Sequence, residues 1–284
     1  MTSGGSLTKL EVKWSYLGPD GKASEQEIVS KRLVTTQSSM ELYSNIFRES
    51  PLFLRGHYRV KWYVEGKEQG RTDFIVRKPT IKELEKRGAT GDAAALLRLG
   101  AAYISGQDVK ADPEKGVQYT KQAADAGLPL AQYQYGVLLL KGEILEQNEA
   151  EAVQWIHKAA EQGDAKAQYD LGVFYREGMG LVKGMTESIV WTRKAAEQSH
   201  TLAQCNLGIH YVEGLGVKQD FVEAGKWLTF AAEQGNAQAV FLLAELYEEG
   251  NGVTKDRDEA VRLYRKSADE GFEPAKAALE RLGQ

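Results

Sequence analysis

Cysteine, proline and long hydrophobic runs are scarce in this sequence. Among 284 residues there are one cysteine, Cys205, and six prolines. A lone cysteine excludes an intramolecular disulfide framework and a zinc site built from several cysteines, and so few prolines exclude a Pro-rich linker protein. No stretch approaches the roughly 18 uncharged apolar residues that a membrane span needs. These absences favour a soluble, globular protein of a reducing compartment.

The first residues carry no recognisable secretion signal. The segment from Met1 to Ser6 reads Met-Thr-Ser-Gly-Gly-Ser and has neither a basic region nor a following apolar core, which a signal peptide requires. We therefore expect a cytoplasmic protein, or a periplasmic one if a leader has been removed.

Charge is distributed unevenly along the chain. Residues 1–88 hold 16 basic and 11 acidic residues, a net charge of +5, and the remainder carries −9, which gives −4 overall. This split predicts two units with different surfaces. Because phosphate neutralisation supplies most of the affinity for nucleic acids, the acidic second unit is a poor nucleic-acid binder, and no nucleic-acid partner is predicted.

A 36-residue repeat dominates the second unit. From Asp92 the chain divides without gaps into units 92–127, 128–163, 164–199, 200–235 and 236–271, followed by a remnant, 272–284. The units end in related hexapeptides such as Lys-Ala-Ala-Glu-Gln-Gly, residues 158–163. Five units in register indicate a repeat architecture.

Each unit predicts two helices joined by a loop. Positions are numbered from the first residue of each unit, so that Asp92 is position 1. Apolar residues at positions 4, 8 and 12 form one helical stripe, and glycine or alanine at position 9 predicts a close approach of two helices. An invariant glycine at position 15 predicts the left-handed residue that ends the first helix. The second helix is predicted to begin near position 22.

Large residues recur at position 28 of the second helix. They are Tyr119, Trp155, Trp191, Trp227 and Leu263. Aromatic side chains at one recurring helical position favour a core between repeats over a ligand cage, since each buries a large apolar area.

These residues resemble the Sel1-like repeat family, which is related to the tetratricopeptide repeat. The shared pattern is A-x-x-x-L-G-x-x-Y-x-x-G-x-G-V, then A-x-x-W and K-A-A-E-Q-G, and it covers about residues 92–284. Unit four fits best, and unit two lacks the second glycine of the loop. The resemblance implies a right-handed α-solenoid that acts as an adaptor or scaffold. Members linked to β-lactam binding are stapled by paired cysteines, which are missing here, so that activity is not expected.

The resemblance also implies a concave groove lined by the first helices. By analogy with tetratricopeptide geometry, positions 3, 6, 10, 13 and 14 face inward. The predicted groove residues are Tyr133, Val137, Leu140, Tyr169, Val173, Arg176, Cys205, Ile209, Val212, Phe241 and Glu245. This strip is apolar in its middle and acidic towards the C-terminal end. We expect it to bind an extended or helical peptide with apolar anchors and some basic residues, unless the N-terminal domain covers it.

The residues before the repeats predict a different domain. Alternating β-rich segments at 7–16, 27–34, 56–64 and 71–76, with a hairpin loop at 65–70, predict a small β-sandwich that resembles an immunoglobulin-like module over residues 1–78. A short helix is expected over 37–48. Trp14, Tyr58, Val60 and Trp62 are candidates for core or cross-strand positions. A connecting and capping helix is expected within 79–91, which gives an α+β two-domain chain whose solenoid has five repeats and a capping helix near 272–284.

Motifs for catalysis or cofactor binding are missing from the sequence. It has no phosphate-binding loop, no His-Glu-x-x-His and no Gly-x-Ser-x-Gly. The four histidines are scattered, and two-residue pairs such as His157 with Glu161 do not define a metal site. We predict no catalytic residue, no metal and no cofactor.

Two classes of function remain open. The first is a non-catalytic interaction scaffold or adaptor, with the groove and the β domain as binding modules, or an immunity-type inhibitor of a toxin or enzyme. The second is an enzyme or enzyme accessory with a site at the domain junction. The open surface of a repeat array favours the first class, and the sequence leaves the oligomeric state undetermined.

Overall fold

Two compact units, Met1–Thr80 and Ile81–Gln284, make up the chain. The structure is a computed structural model that describes residues 8–16, 26–35, 56–64, 67–76 and 78–284. In the first unit the strands are β1 Thr8–Tyr16, β2 Gln26–Thr35, β3 Gly56–Val64 and β4 Lys67–Val76. The helices of the second unit are α1 Ile81–Gly88, α2 Ala93–Ser105, α3 Pro113–Asp125, α4 Pro129–Lys141, α5 Glu149–Glu161, α6 Ala165–Glu177, α7 Met185–Glu197, α8 Thr201–Glu213, α9 Phe221–Glu233, α10 Ala237–Glu249, α11 Arg257–Asp269 and α12 Glu273–Arg281.

The four strands form one antiparallel sheet in the order β2-β1-β3-β4. Its register places Trp14 opposite Val60 and Tyr16 opposite Tyr58, so the sequence candidates Trp14, Tyr58 and Val60 are cross-strand partners. The alternating pattern predicts these strands because successive side chains of a strand point to opposite faces.

Three expectations for the first unit have different outcomes. The predicted hairpin loop at 65–70 was too long, because β4 already begins at Lys67 and a bulge between Trp62 and Tyr63 absorbs the mismatch in register. The immunoglobulin-like sandwich needs two packed sheets, whereas the described strands belong to one. The helix expected over 37–48 lies outside the described residues.

The repeats have the predicted helix-loop-helix form. Every helix from α2 to α11 is 13 residues long, and the second helix of each repeat begins at position 22, as in α3 at Pro113. The glycine at position 15 ends each first helix in the left-handed conformation, with φ of 72° at Gly106 and 81° at Gly250. Asp, Asn or His side chains accept hydrogen bonds from backbone N–H groups at most of the helix starts, as Asp164 does from Ala167 N.

Terminal helices close the stack at both ends. At the first repeat, Leu84 of α1 joins a buried cluster with Leu99 and Tyr103. At the last repeat, Ala275 and Ala278 of α12 join the cluster of α10 and α11. Both helices lie where the sequence predicts capping helices, and they bury apolar surface of the end repeats.

Candidate functional site

The first helix of each repeat packs one side into the core, and most side chains on another side are only half-buried. At position 4, Ala131, Ala167, Ala203 and Ala239 are fully buried. Positions 3, 6, 7, 10, 13 and 14 are three or four residues apart and therefore lie on a common side of the helix. We call the surface that these positions form across α2, α4, α6, α8 and α10 the first-helix face. It contains every residue predicted to line the groove.

Glycine at position 9 lets the second helix of each repeat approach the first closely. A Cβ atom built on Gly172 would lie 2.6 Å from Thr192 Oγ1, and one on Gly208 would lie 2.6 Å from Leu228 Cγ. Such contacts are far closer than van der Waals packing permits. The predicted close approach is confirmed.

A ladder of glutamines ties neighbouring repeats together. Gln168 at position 5 donates from Nε2 to the carbonyl oxygen of Ala160 in the preceding repeat, 3.0 Å away, and its Oε1 accepts from Gln198 Nε2 at 2.8 Å. Gln132 with Gln162 and Gln204 with Gln234 repeat the arrangement. Within a repeat, the second glutamine donates to the first, and the first donates to a carbonyl oxygen of the preceding repeat. The ladder therefore fixes how one repeat sits on the next.

The fifth repeat replaces this ladder with a different donor. Val240 stands at position 5 and cannot donate, and the carbonyl oxygen of Ala232 accepts from Lys266 Nζ at 3.3 Å instead. Glu270 takes the place of the second glutamine and lies 3.9 Å from the same Lys266 Nζ. Sequence reasoning missed the ladder, although the joint presence of glutamine at positions 5 and 35 in units two to four was a visible signal.

Two tyrosines on the first-helix face contact the next repeat. Tyr133 donates to Asp170 Oδ2 at 3.0 Å, and burial raises the pKa of Tyr169. Burial raises the pKa of Asp170, and the bond from Tyr133 opposes that rise. The Tyr169 ring also stacks on His200, with ring centroids 4.7 Å apart. Tyr133 therefore links neighbouring repeats through its hydroxyl, and Tyr169 does so through its ring.

Most predicted groove residues are half-buried on this face. They are Tyr133, Val137, Leu140, Tyr169, Val173, Arg176, Ile209, Val212, Phe241 and Glu245. Cys205 differs, because it is only 2% exposed and belongs to a core cluster, so it adds no accessible surface. Two leucines that the prediction did not name, Leu130 and Leu202 at position 3, are 44% and 49% exposed.

The C-terminal end of the face is acidic and only partly neutralised. Arg281 of α12 donates to both carboxylate oxygens of Glu248, at 2.8 and 2.7 Å, and this pairing lowers the pKa of Glu248. Glu245 has no ion pair within residues 78–284. Burial, together with the charges of Glu249 and Glu248, raises the pKa of Glu245.

Two buried groups lack the surroundings of reactive residues. Burial raises the pKa of the Cys205 thiol to about 11, which leaves it protonated and a weak nucleophile at neutral pH. Burial and the charge of Arg176 lower the pKa of His210, whose Nδ1 has no hydrogen-bond partner among residues 78–284. Neither arrangement activates a nucleophile or a general base.

The described residues contain no group of three or more metal-ligating side chains that could hold an ion. No helix among them is both long enough and apolar enough to span a membrane.

Comparison with known proteins identifies the repeats. The family model for the Sel1 repeat matches residues 93–128, 129–164, 165–200, 201–236 and 237–272, each one residue later than the predicted unit. A comparison with curated proteins finds no match.

Solved structures agree with this match. A protective antigen present in uropathogenic Escherichia coli strains, which displays an SLR fold, is 36% identical, with a TM-score of 0.68 over 72% of this chain and 45% of that chain. A Sel1 repeat protein from Oxalobacter formigenes is 34% identical, with a TM-score of 0.63 over 67% of this chain and 79% of that chain. The chain thus spans less than half the length of the first of these relatives. With five matched repeats forming its helical solenoid, the chain belongs to the Sel1 repeat family.

Proposed function

We propose that the protein is a non-catalytic interaction scaffold that binds a partner protein or peptide on the first-helix face. Sel1 repeat proteins generally mediate protein–protein interactions. One observation carries the assignment to this face: half-buried apolar side chains recur at position 10 in repeats 2 to 4, as Val137, Val173 and Ile209. A continuous, partly apolar strip of this kind is typical of a binding surface.

Exposed leucines at the start of two first helices offer a test that spares the stack. Leu130 and Leu202 are exposed. Tyr133 and Tyr169 instead contact the next repeat, so a charged side chain at either position would disturb folding as well as binding. We expect the double variant Leu130→Glu/Leu202→Glu to stay folded and to lose a partner that the wild-type chain retains in pull-downs from native extract, read by quantitative mass spectrometry.

A matched control is available on the second helices. Val190 and Val222 are 48% and 65% exposed and lie in α7 and α9, outside the first-helix face. The variant Val190→Glu/Val222→Glu should retain the partner. If the control loses the partner and the leucine variant keeps it, the binding surface lies on the second helices, and the assignment to the first-helix face is wrong.

The β domain as a second binding module belongs to the same proposal. It is supported by the sheet alone, because the outer strands β2 and β4 each pair on one side only among the described residues. Unpaired strand edges accept extended segments of a partner. Deleting residues 1–78 and repeating the pull-down separates partners of the β unit from partners of the repeats.

A further inference from the structure

The charge of the first-helix face changes sign along the stack. Repeats 1 and 2 contribute the basic residues Arg98 and Lys141 and no acidic one. Repeat 3 carries both signs: Lys166, Arg176, Asp170 and Glu177. Repeats 4 and 5 contribute four acidic residues and no basic one: Glu213, Glu245, Glu248 and Glu249. The face therefore runs from positive to negative in the direction of the chain.

Several of these charges are available to a ligand. Arg98, Lys141, Glu213 and Glu249 are exposed. Within residues 78–284, Arg98, Lys141 and Glu213 make no ion pair. Only Glu248 in the acidic half is neutralised, by Arg281. Burial first, and then the charges of Glu249 and Glu248, raise the pKa of Glu245, and a cation placed beside Glu245 and Glu249 would offset both effects.

Half-buried apolar side chains lie between the two charged ends. They include Val137, Val173 and Ile209 at position 10, one in each of repeats 2 to 4. Neighbouring packed helices lie roughly 10 Å apart, so the five first helices span about 40 Å. An extended chain rises about 3.3 Å per residue, and about 12 residues would cover that length. A row of apolar residues with opposite charges at its two ends is complementary to one extended segment that carries the matching charges.

We propose that the first-helix face binds an extended segment of a partner protein in which opposite charges are segregated. Acidic residues of the segment lie over repeats 1 and 2, basic residues lie over repeats 4 and 5, and apolar residues lie between them. Because like charges that face each other are penalised, uniformly basic or uniformly acidic segments are rejected at one end. The inference rests on the proposed function and adds the chemical class of the partner.

Selection from a random peptide library tests the charge pattern directly. The probe is a phage-displayed library of random 16-residue peptides, selected on the immobilised full chain. We expect the enriched peptides to carry acidic residues in one half and basic residues in the other. Selection on Arg98→Gln/Lys141→Gln should lower the enrichment of acidic residues at least tenfold and leave the enrichment of basic residues unchanged. Selection on Glu213→Gln/Glu245→Gln/Glu249→Gln should lower the enrichment of basic residues at least tenfold and leave that of acidic residues unchanged.

A matched control removes three carboxylates elsewhere. Glu161, Glu197 and Glu233 are exposed at position 34 of the second helices, and Glu161→Gln/Glu197→Gln/Glu233→Gln should enrich the same peptides as the wild-type chain. Circular dichroism verifies that every variant is folded. A control variant that shifts the pattern as strongly as the acidic-end variant overturns the proposal.

The outcomes separate this proposal from the proposed function. Peptides that need Leu130 and Leu202 but show no charge segregation overturn the charge pattern and leave the binding face in place. A library that yields no peptide dependent on these leucines overturns both. Light scattering that shows a dimer of the wild-type chain, abolished by the acidic-end variant, overturns the peptide segment in favour of a second copy.

Discussion

The glutamine ladder gives a prediction in which the loss of stability depends on pH. In wild type, Gln168 is 5% exposed and both donates to Ala160 O and accepts from Gln198 Nε2. In the variant Gln168→Glu, a protonated carboxyl can replace both bonds, since its O–H donates and its C=O accepts. An ionised carboxylate has no donor and would face the carbonyl oxygen of Ala160.

The size of the effect follows from this burial. Burial should raise the pKa of the introduced glutamic acid in the folded state by about two units, and each unit corresponds to about 1.4 kcal/mol. A carboxyl whose folded pKa is raised stabilises the protein relative to its ionised form at low pH, and this contribution is lost as pH rises through the folded pKa. We therefore expect Gln168→Glu to unfold with nearly the wild-type free energy at pH 4.5 and to be about 3 kcal/mol less stable at pH 8.

Urea denaturation followed by circular dichroism at both pH values measures the difference, with the wild-type chain under identical conditions. Gln154→Glu is the matched control, because Gln154 is exposed on α5 and should differ from wild type by less than about 0.5 kcal/mol at either pH. Gln168→Leu, which removes both bonds without a charge, should cost about 1–2 kcal/mol at every pH. A Gln168→Glu variant as stable as wild type at pH 8 would show that the ladder does not couple the repeats.

Three further substitutions test other parts of the packing. Gly172→Ala should lower the melting temperature, at a cost of about 1–2 kcal/mol, because its Cβ would lie 2.6 Å from Thr192 Oγ1 and the strain exceeds the helix propensity gained; a gain in stability would contradict the close approach. Ser199→Gly should raise stability by about 0.5–1 kcal/mol in thermal melts, since Ser199 has a φ of 64° that favours glycine, and an unchanged melt would argue against strain there. His210→Leu should stabilise the protein. Leu246 occupies the equivalent position in repeat 5, and the substitution removes Nδ1, which has no hydrogen-bond partner among residues 78–284. The pKa of His210 is lowered in the fold, so its wild-type side chain costs more stability as pH falls below about 6.5, and the gain from leucine should be larger at pH 5.5 than at pH 8.

The repeat array could be predicted closely because its signals are local. The glycine at position 15 ends a helix through its own backbone conformation, as Gly106 does, and the stripe at positions 4, 8 and 12 marks the buried side of one helix. These features depend on residues a few positions apart. The N-terminal sheet was predicted less well, since strand alternation identifies β1 to β4 but does not decide how many sheets they form or where a bulge falls.

The candidate site could be predicted only in outline. Position in the repeat identified residues that are mostly half-buried. It could not say that Cys205 is buried at 2% exposure or that Tyr133 bonds to Asp170, which lies 37 residues further along the chain. Burial and hydrogen bonding of this kind depend on how two repeats stack, and equal spacing in sequence does not specify the contacts between them.

The sequence by itself determined the family, the number of repeats, the helix pairs and their ends, because each is encoded within a 36-residue unit. Only the tertiary structure decided which side chains link the units: the glutamine ladder in repeats 2 to 4, the lysine that replaces it in repeat 5, and the tyrosine bonds across the first-helix face. The physical reason is that a buried polar group must find a partner, and in a stack of repeats that partner comes from the neighbouring unit.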